Sequence, residues 1–436
     1  MQTVPLKQKQ HTSRKENHHL DFKTFSFYPQ LQTRITAVGY SIPTPIQTRA
    51  IPKIMQGHDL IGLAQTGTGK TAAFALPILH RLMKRHCRGL RALIIAPTRE
   101  LAEQIHQAIE TLGAETGLKS TTVYGGVGLT PQVQALKVAD IVVACPGRLI
   151  DHIQRKTVDL SKLEVLVLDE ADQMFDMGFL PDIRRILAHL PQKSRQTLLF
   201  SATMPNPIRH LANEILKRPE RVQVGNDAPA DTVSHTFFPV AQHLKTALLL
   251  KLLGSEQTQG VLIFTRTKHR ARQLGGKLAK VGYHSTSLQG NLSQAQRQKA
   301  MNGFKSGKYR VLVATDIAAR GIDVARVSHV INFDMPTTPE AYIHRIGRTG
   351  RAERSGEAFT FFSNEDSQLA KAIRRTIGMP VLERIIEDFN YSTPRPNEHN
   401  QGSRIKARPP AHGKGRNPPP VSGAFAWLSP RNKARI

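Results

Sequence analysis

Two short strings hold the residues best suited to chemistry. The first is Ala64-Gln-Thr-Gly-Thr-Gly-Lys-Thr71. Glycines let a turn approach an anion closely, and N–H groups at a helix start carry partial positive charge, so such a turn between a strand and a helix cradles phosphate. Gln65, Thr66, Gly67, Thr68 and Gly69 would line the cradle, Lys70 would reach the β- and γ-phosphates, and the Thr71 hydroxyl would coordinate Mg²⁺. Ala64 stands where the first glycine of such a loop is usual. A glycine-rich turn that binds nothing is the alternative, and the flanking strand and helix patterns argue against it. The second string, Asp169-Glu-Ala-Asp172, ends the apolar run Val165–Leu168. It puts carboxylates at the C-terminal edge of a parallel sheet, where such folds bind ligands. Asp169 would hold Mg²⁺ through its water shell, and Glu170 would orient or deprotonate a water attacking the γ-phosphate. By itself an Asp-Glu pair after a strand is a common helix cap. With a phosphate loop in the same domain it reads as hydrolysis of a nucleoside triphosphate.

The elements that must position these residues are alternating apolar strands and helical patterns. Residues 21–224 carry the runs Asp59–Ala64, Ala92–Ala96, Ile141–Ala144, Val165–Leu168 and Thr197–Phe200, which suit a buried, doubly wound parallel sheet. Gly225-Asn-Asp-Ala-Pro-Ala-Asp231 interrupts the pattern with turn formers and charges, so 225–233 reads as a linker. A second α/β series over 234–391 has strands at Gly260–Thr265, Tyr309–Ala314 and His329–Phe333. The predicted fold class is therefore α/β, with two tandem, mostly parallel sheets covered by helices on both faces. Residues 392–436 hold nine Lys or Arg against one acid, Glu398, with Pro-Pro-Pro at 418–420, and are expected to be a disordered basic tail. Residues 1–20 are expected to be a short flexible tail. No short-period repeat is present, although both halves share strand-loop-helix logic.

Composition sets the class of partner. A length of 436 residues with 39% hydrophobic residues suits two packed domains, and a net charge of +28 predicts attraction to a polyanion. No run approaches the ~18 apolar residues of a spanning helix, and Met1–Leu20 lacks the apolar centre of a signal peptide, so no membrane partner and a cytoplasmic location are expected. Cys87 and Cys145 sit in neither a CxxC nor a Cys/His spacing, which suggests neither disulfides nor zinc. His18 and His19 lack a further ligand at metal spacing and read as a solvated tail.

With these strings in order from about Phe22 to Arg351, the chain resembles the DEAD-box RNA helicases over both domains. The resemblance implies two RecA-like domains, ATP and Mg²⁺ as cofactors, and RNA as partner. Gly39-Tyr-Ser-Ile-Pro-Thr-Pro-Ile-Gln47 resembles the Q motif of that family, with Phe22 seventeen residues before Gly39. A Gln amide offers a donor and an acceptor to adenine N6 and N7, and an aromatic face stacks on a base. Gln47, Tyr40 and Phe22 are therefore assigned to ATP, although Phe22 taken alone reads equally well as a core residue. Ser201-Ala-Thr203 resembles the motif whose hydroxyls contact the second carboxylate of the DEAD string, here Asp172, and implies coupling of ATP state to domain closure. His344-Arg-Ile-Gly-Arg-Thr-Gly-Arg351 matches the arginine-finger motif, with Arg348 and Arg351 neutralising γ-phosphate charge and His344 as a structural member of the coupling network. Within Ala314–Asp323, the resemblance assigns Asp323 to the ATP ribose, and Thr315 and Gly321 to RNA phosphates. Pro97, Arg99, Gly126, Arg148, Gln294 and Arg297, with the Gly260–Lys268 segment, are the other RNA-facing residues, and their contacts carry no sequence code. Cys145 stands where the family usually has threonine before Pro146-Gly-Arg148, which puts one hydroxyl contact in doubt.

The reaction implied is RNA-stimulated ATP hydrolysis, with closure of two domains around ATP and a single strand, and local unwinding of short duplexes or remodelling of RNA–protein complexes. Two other readings share the core: an ATP-driven RNA clamp that does not unwind, which intact Glu170, Arg348 and Arg351 argue against, and a DNA translocase, distinguished by dependence on the ribose 2′-OH. Within the family, the compact core, the short N-terminal tail and the string Val167–Phe179 look most like the bacterial RhlE-type subgroup. Proteins of the ribosome or of RNA decay are the protein partners the resemblance allows.

Overall fold

The computed structural model describes residues 21–395, apart from 66, 86, 192–194, 225–232, 256–257, 259, 320–325, 351–354 and 380. Thr66, Gly321, Asp323, Arg351, the N-terminal tail, residues 225–232 of the linker and the tail from residue 396 thus lie outside the described residues. Residues 21–391 fall in one compact unit that holds two seven-stranded sheets.

The first sheet comprises β1 (Leu60–Leu63), β2 (Ala92–Ile95), β3 (Ser120–Val123), β4 (Ile141–Ala144), β5 (Val165–Leu168), β6 (Gln196–Ser201) and β7 (Glu220–Gln223). Its order is β3-β4-β2-β5-β6-β1-β7, and every pairing is parallel. The second comprises β8 (Val233–Pro239), β9 (Val261–Phe264), β10 (Ser285–Leu288), β11 (Val311–Ala314), β12 (His329–Asn332), β13 (Gly356–Phe362) and β14 (Leu382–Glu383). Its order, β10-β11-β9-β12-β13-β8-β14, repeats that of the first sheet with every strand advanced by seven. The shared logic of the two halves is thus one topology used twice, and the chain consists of two tandem RecA-like lobes.

The central strands are buried along their whole length because helices cover both faces. Alternate side chains supply the two cores of each lobe. Ala92 and Ile94 enter the layer of the helices Lys70–Met83 and Arg99–Gly113, while Leu93 and Ile95 enter that of Asn206–Ile215. Each fully buried aliphatic side chain contributes about 1.5–3 kcal/mol. In the second lobe Val261 and Ile263 face one core, and Leu262 and Phe264 the other.

The strand ends differ from the sequence reading by one or two residues at most. Six strands have no continuous aliphatic run to mark them: β3, β7, β10 and β14 are the edge strands of the sheets, where a short or mixed sequence suffices, and in β8 and β13 the apolar residues are interrupted by Ser234, His235, Thr236, Glu357 and Thr360. Val233 is the first residue of β8, so the linker expected over 225–233 loses its last residue to a strand whose Val233 and His235 are both buried. Among the described residues no helix is long and apolar enough to cross a membrane.

Candidate active site

The phosphate loop leaves β1 and enters the helix Lys70–Met83 through Gly69, at φ +91°, with Gly67 also left-handed at φ +86°. A Cβ at residue 69 would collide with the Gln47 amide, so glycine is required for the close approach as well as for the turn. Thr68 Oγ1 donates to the Gln65 carbonyl at 2.8 Å, closing the loop on itself. Lys70 is buried, its Nζ donating to the Ala64 carbonyl at 2.8 Å, and Thr71 follows it on the first turn of the helix.

Gln47 sits at the third position of the helix Pro45–Met55 and completes a capping box. Its Oε1 accepts from the Thr44 N–H at 2.9 Å, while its Nε2 donates to the Gly69 carbonyl at 3.1 Å. The amide therefore braces the phosphate loop and retains one N–H and one lone pair. Phe22, expected to offer its face to a base, is 1% exposed and belongs to the core. It lies under Tyr40, with ring centroids 5.8 Å apart and planes at 30°, and Tyr40 is 39% exposed. The available ring at this site is that of Tyr40, and Phe22 supports it.

Asp169 and Glu170 follow β5, both 2% exposed. Glu170 adopts φ +52°, ψ 52° and turns the chain sharply into the helix Ala171–Asp176. Its N–H donates to Asp169 Oδ1 at 3.0 Å. Burial pushes the Asp169 carboxyl up to about 7, opposed by the Lys70 ammonium and reinforced by the neighbouring Glu170. Asp172 is a hub. Its Oδ2 accepts from the N–H groups of Ala202 (3.1 Å) and Thr203 (2.8 Å) and from Thr203 Oγ1 (3.1 Å). Ser201 differs from expectation: its hydroxyl accepts from the Asp172 backbone N–H at 3.2 Å and leaves the carboxylate to its neighbours.

The second lobe reaches this hub through His344, whose Nε2 lies 3.7 Å from Asp172 Oδ2. Arg348, one turn further on, donates from Nε to the His344 carbonyl at 3.3 Å, and lines a small cavity that also includes Asp176 of the first lobe. Arg345 between them is a structural anchor. It grips the Asp316 carboxylate with two bonds of 2.5 and 2.7 Å and donates to Asn332 Oδ1 and the Asp334 carbonyl.

A second, larger cleft of about 540 Å³ is lined by Pro97, Arg99, Cys145 and Arg148 of the first lobe and by Arg297 of the second. The Arg99 guanidinium lies over Gly125 and Gly126, where a Cβ on Gly126 would collide with it. Arg148 donates to the Val127 carbonyl at 3.1 Å. Cys145 precedes the helix Pro146–Gln154 and makes no side-chain cap, and burial pushes its thiol up to about 12, so it stays protonated. Gln294 begins the helix Gln294–Lys305, and its Oε1 is buried without a hydrogen-bond partner. Thr315 follows β11 at the same sheet edge. Arg297 differs from a free phosphate ligand: its Nε donates to Glu100 Oε1 across the lobes at 2.6 Å, and Nη1 donates to the Gln289 carbonyl at 3.4 Å.

The DEAD/DEAH box helicase family matches residues 44–211, and the helicase conserved C-terminal domain matches 244–353. The DEAD-box ATP-dependent RNA helicase CshA of Bacillus cereus is 42% identical over 375 residues, which cover 84% of this chain and 71% of that protein. The chain belongs to the DEAD-box ATP-dependent RNA helicases. CshA of Listeria monocytogenes is 43% identical, covering 81% of this chain and 68% of its own length. Among solved structures, S. cerevisiae Dbp5 bound to RNA and ADP BeF3 aligns with a TM-score of 0.75 at 31% identity, over 84% of this chain and 95% of that one. A DEAD box protein from Methanococcus jannaschii aligns with a TM-score of 0.51 at 35% identity, over 84% and 99%.

As a DEAD-box helicase the protein uses ATP and binds RNA, and it is an RNA-dependent ATPase. Two residues of the helicase escaped the sequence reading. Glu100 reads as an ordinary first-turn acid of the helix Arg99–Gly113, and its partner lies 197 residues away. Arg345 reads as a third arginine of the finger motif, and only its four bonds show that it holds the motif in place.

Proposed function

We propose that this helicase closes its two lobes on ATP and a single strand of RNA, destabilises a short neighbouring duplex, and reopens after hydrolysis. The observation that carries this reading is the Asp172 hub, which ties the hydrolytic string to Thr203 and, across the lobes, to His344. In this reading Gln65 to Gly69 cradle the phosphates, Lys70 meets the β- and γ-phosphates, and Glu170 positions the attacking water. Arg348 and Arg351 approach from the second lobe, and Asp323 takes the ribose. Tyr40, backed by Phe22, covers the adenine, and the remaining donor and acceptor of Gln47 read its edge. Pro97, Arg99, Gly126, Arg148, Gln294, Thr315 and Gly321 take the RNA backbone, with Arg297 joining the lobes through Glu100. The division into 21–224 and 234–391 is supported by the two repeats of the sheet order, with Val233 joining the second.

Mg²⁺ fits the donors present. Asp169 is a wholly buried carboxyl beside Glu170 and Asp172, with Lys70 as the nearby cation, and burial has already weakened its acidity. Three carboxyl groups there face one ammonium, and hard oxygen donors from Asp169 and Thr71 suit Mg²⁺. When bound, the ion neutralises charge developing on the phosphates. Lys70 is pre-placed by Ala64 with two N–H groups remaining, and the left-handed turn at Glu170 sets that residue at the sheet edge.

The finer assignments belong to the same proposal. The RhlE-type subgroup rests on the compact core and the Val167–Phe179 string, whereas the relatives compared are named CshA. Action in the cytoplasm beside proteins of the ribosome or of RNA decay belongs to the same proposal, and sequencing of RNA crosslinked to the protein in cells would test it. The chemistry is tested by Glu170→Gln. ATP and RNA binding should persist while kcat falls at least ~10²-fold, because a base is lost and no phosphate contact is. Near-normal turnover would remove Glu170 from its role.

A further inference from the structure

The positive charge of the second lobe is confined to one part of it. Residues 257–315 contain eleven Lys or Arg and no Asp or Glu, whereas the rest of 234–391 contains twelve of each sign. That stretch is contiguous in the fold as well as in sequence. It builds β9, the helix Lys268–Lys280, β10, the helix Gln294–Lys305 and β11, which form one end of the second sheet. Ala271, Leu274 and Leu278 of the first helix enter one core layer, and Ala300, Met301 and Phe304 of the second enter the other. The two helices therefore flank the terminal strand β10 from opposite faces of the sheet.

Both helices start at the C-terminal edge of the strands, where the RNA cleft lies, and run back to the opposite edge, about 20 Å for twelve or thirteen residues. At the far end the exposed side chains include Lys277, Lys280, Lys305 and Lys308, with Val281, Asn302 and Ser306 among them. Among the described residues none of these four lysines forms an ion pair, unlike Arg270 and Arg297 of the same stretch. Between the helices, β10 reads Ser-Thr-Ser-Leu and pairs only with β11 among the described residues, so its outer side offers backbone N–H groups, while the Ser285 hydroxyl is held by the Gly275 carbonyl at 2.9 Å. Lysines and backbone N–H groups are donors that bind phosphate without reading sequence. An unpaired edge flanked by like charges repels a second copy and attracts a polyanion.

We propose that the β10 edge of the second lobe is a second track for the RNA backbone, which holds phosphates of the strand beyond those in the cleft. The inference rests on the cleft reading above, since the track begins where the cleft ends. It makes RNA affinity depend on length well past the few nucleotides that the cleft covers.

The test uses the full chain with Lys277, Lys280, Lys305 and Lys308 all changed to Gln, and a second variant with all four changed to Arg. Binding is measured against salt with single strands of about 8 and about 40 nucleotides, because one phosphate neutralised on a single strand contributes about −0.7 to the slope of log K on log salt. For the long strand the Gln variant should flatten that slope by roughly 3 units and bind more weakly at low salt, while the Arg variant keeps the original slope. Stimulation of ATPase by the short strand should be the same in all three proteins. An unchanged long-strand slope in a Gln variant that still responds to the short strand overturns the track, whether the lysines then serve an acidic protein or nothing. Absence of short-strand stimulation in the unaltered chain would instead overturn the cleft, and the long-strand slopes would still decide the track.

Discussion

Glu170 occupies a left-handed conformation that costs a non-glycine residue about 1–3 kcal/mol. The cost has a structural return: the turn takes the chain from β5 directly into the helix Ala171–Asp176 and so gives Asp169 and Asp172 different surroundings. Asp169 faces Lys70, and Asp172 faces Thr203 and His344. Gln47 shows how a single side chain serves two needs, since its amide already joins Thr44 to Gly69. If its remaining donor and acceptor read adenine, Gln47→Ala should lower kcat/KM for ATP by about tenfold more than for GTP, which loses only the bracing of the loop. Equal losses with both nucleotides would show that Gln47 only braces the loop. The types of these residues were legible in the sequence because phosphate chemistry demands a narrow vocabulary. Their partners were not: the Gln47 amide meets a carbonyl 22 residues away, and the burial of Phe22 depends on where Tyr40 lands.

The strands found from sequence are those buried on both faces, such as β2, β4 and β5, because burial on both faces forces continuous aliphatic runs. The edge strands β3 and β10, Ser-Thr-Thr-Val and Ser-Thr-Ser-Leu, occupy matching positions in the two sheets, and their polar sequences carry no such signal. In β8 the buried His235 accounts for a further omission. Its Nδ1 lies 2.9 Å from the Tyr342 hydroxyl and ties β8 to the helix Pro339–Ile346, which carries His344 and Arg345. Burial lowers the His235 pKa from an ordinary 6.5 to about 4. Below 6.5 the unfolded chain takes up a proton that the folded imidazole refuses, so stability should fall as pH drops from about 6.5 toward about 4. His235→Gln should flatten that part of the profile in thermal unfolding; an identical profile would place the acid sensitivity elsewhere. Between the lobes, Arg297 and Glu100 form a nearly buried pair, and removing one partner of such a pair costs about 3 kcal/mol or more. Arg297→Glu should therefore weaken ATP-dependent RNA binding by ~10²-fold, and adding Glu100→Arg should restore much of it. Failure of the exchanged pair to recover would mean that Arg297 acts on RNA directly.

At the scale of the whole molecule, charge outweighs shape in deciding how the enzyme meets its substrate. Residues 392–436 contribute nine cations and one anion to a chain of net +28. They contain no residue of the ATP site, so truncation after Tyr391 removes charge while leaving both sheets whole. Chemistry at saturating RNA should then be unaltered, because Glu170, Asp172 and Arg348 keep their surroundings. Affinity should not be. A single strand contributes about −0.7 per neutralised phosphate to the slope of log K on log salt, so even four engaged cations account for roughly 3 units. Weak salt shields charges least, so the truncated protein should lose most affinity at low ionic strength and approach the full chain as salt rises. Phe425 and Trp427 add a separate term if they stack on unpaired bases, about 1–3 kcal/mol each and largely independent of salt. The two contributions are separable in one experiment. A Phe425→Ala, Trp427→Ala pair should lower affinity by the same factor at every salt concentration, whereas truncation should also change the slope. If truncation leaves both affinity and slope the same within error, the tail is a solvated appendage, and the polyanion is held by the lobes alone.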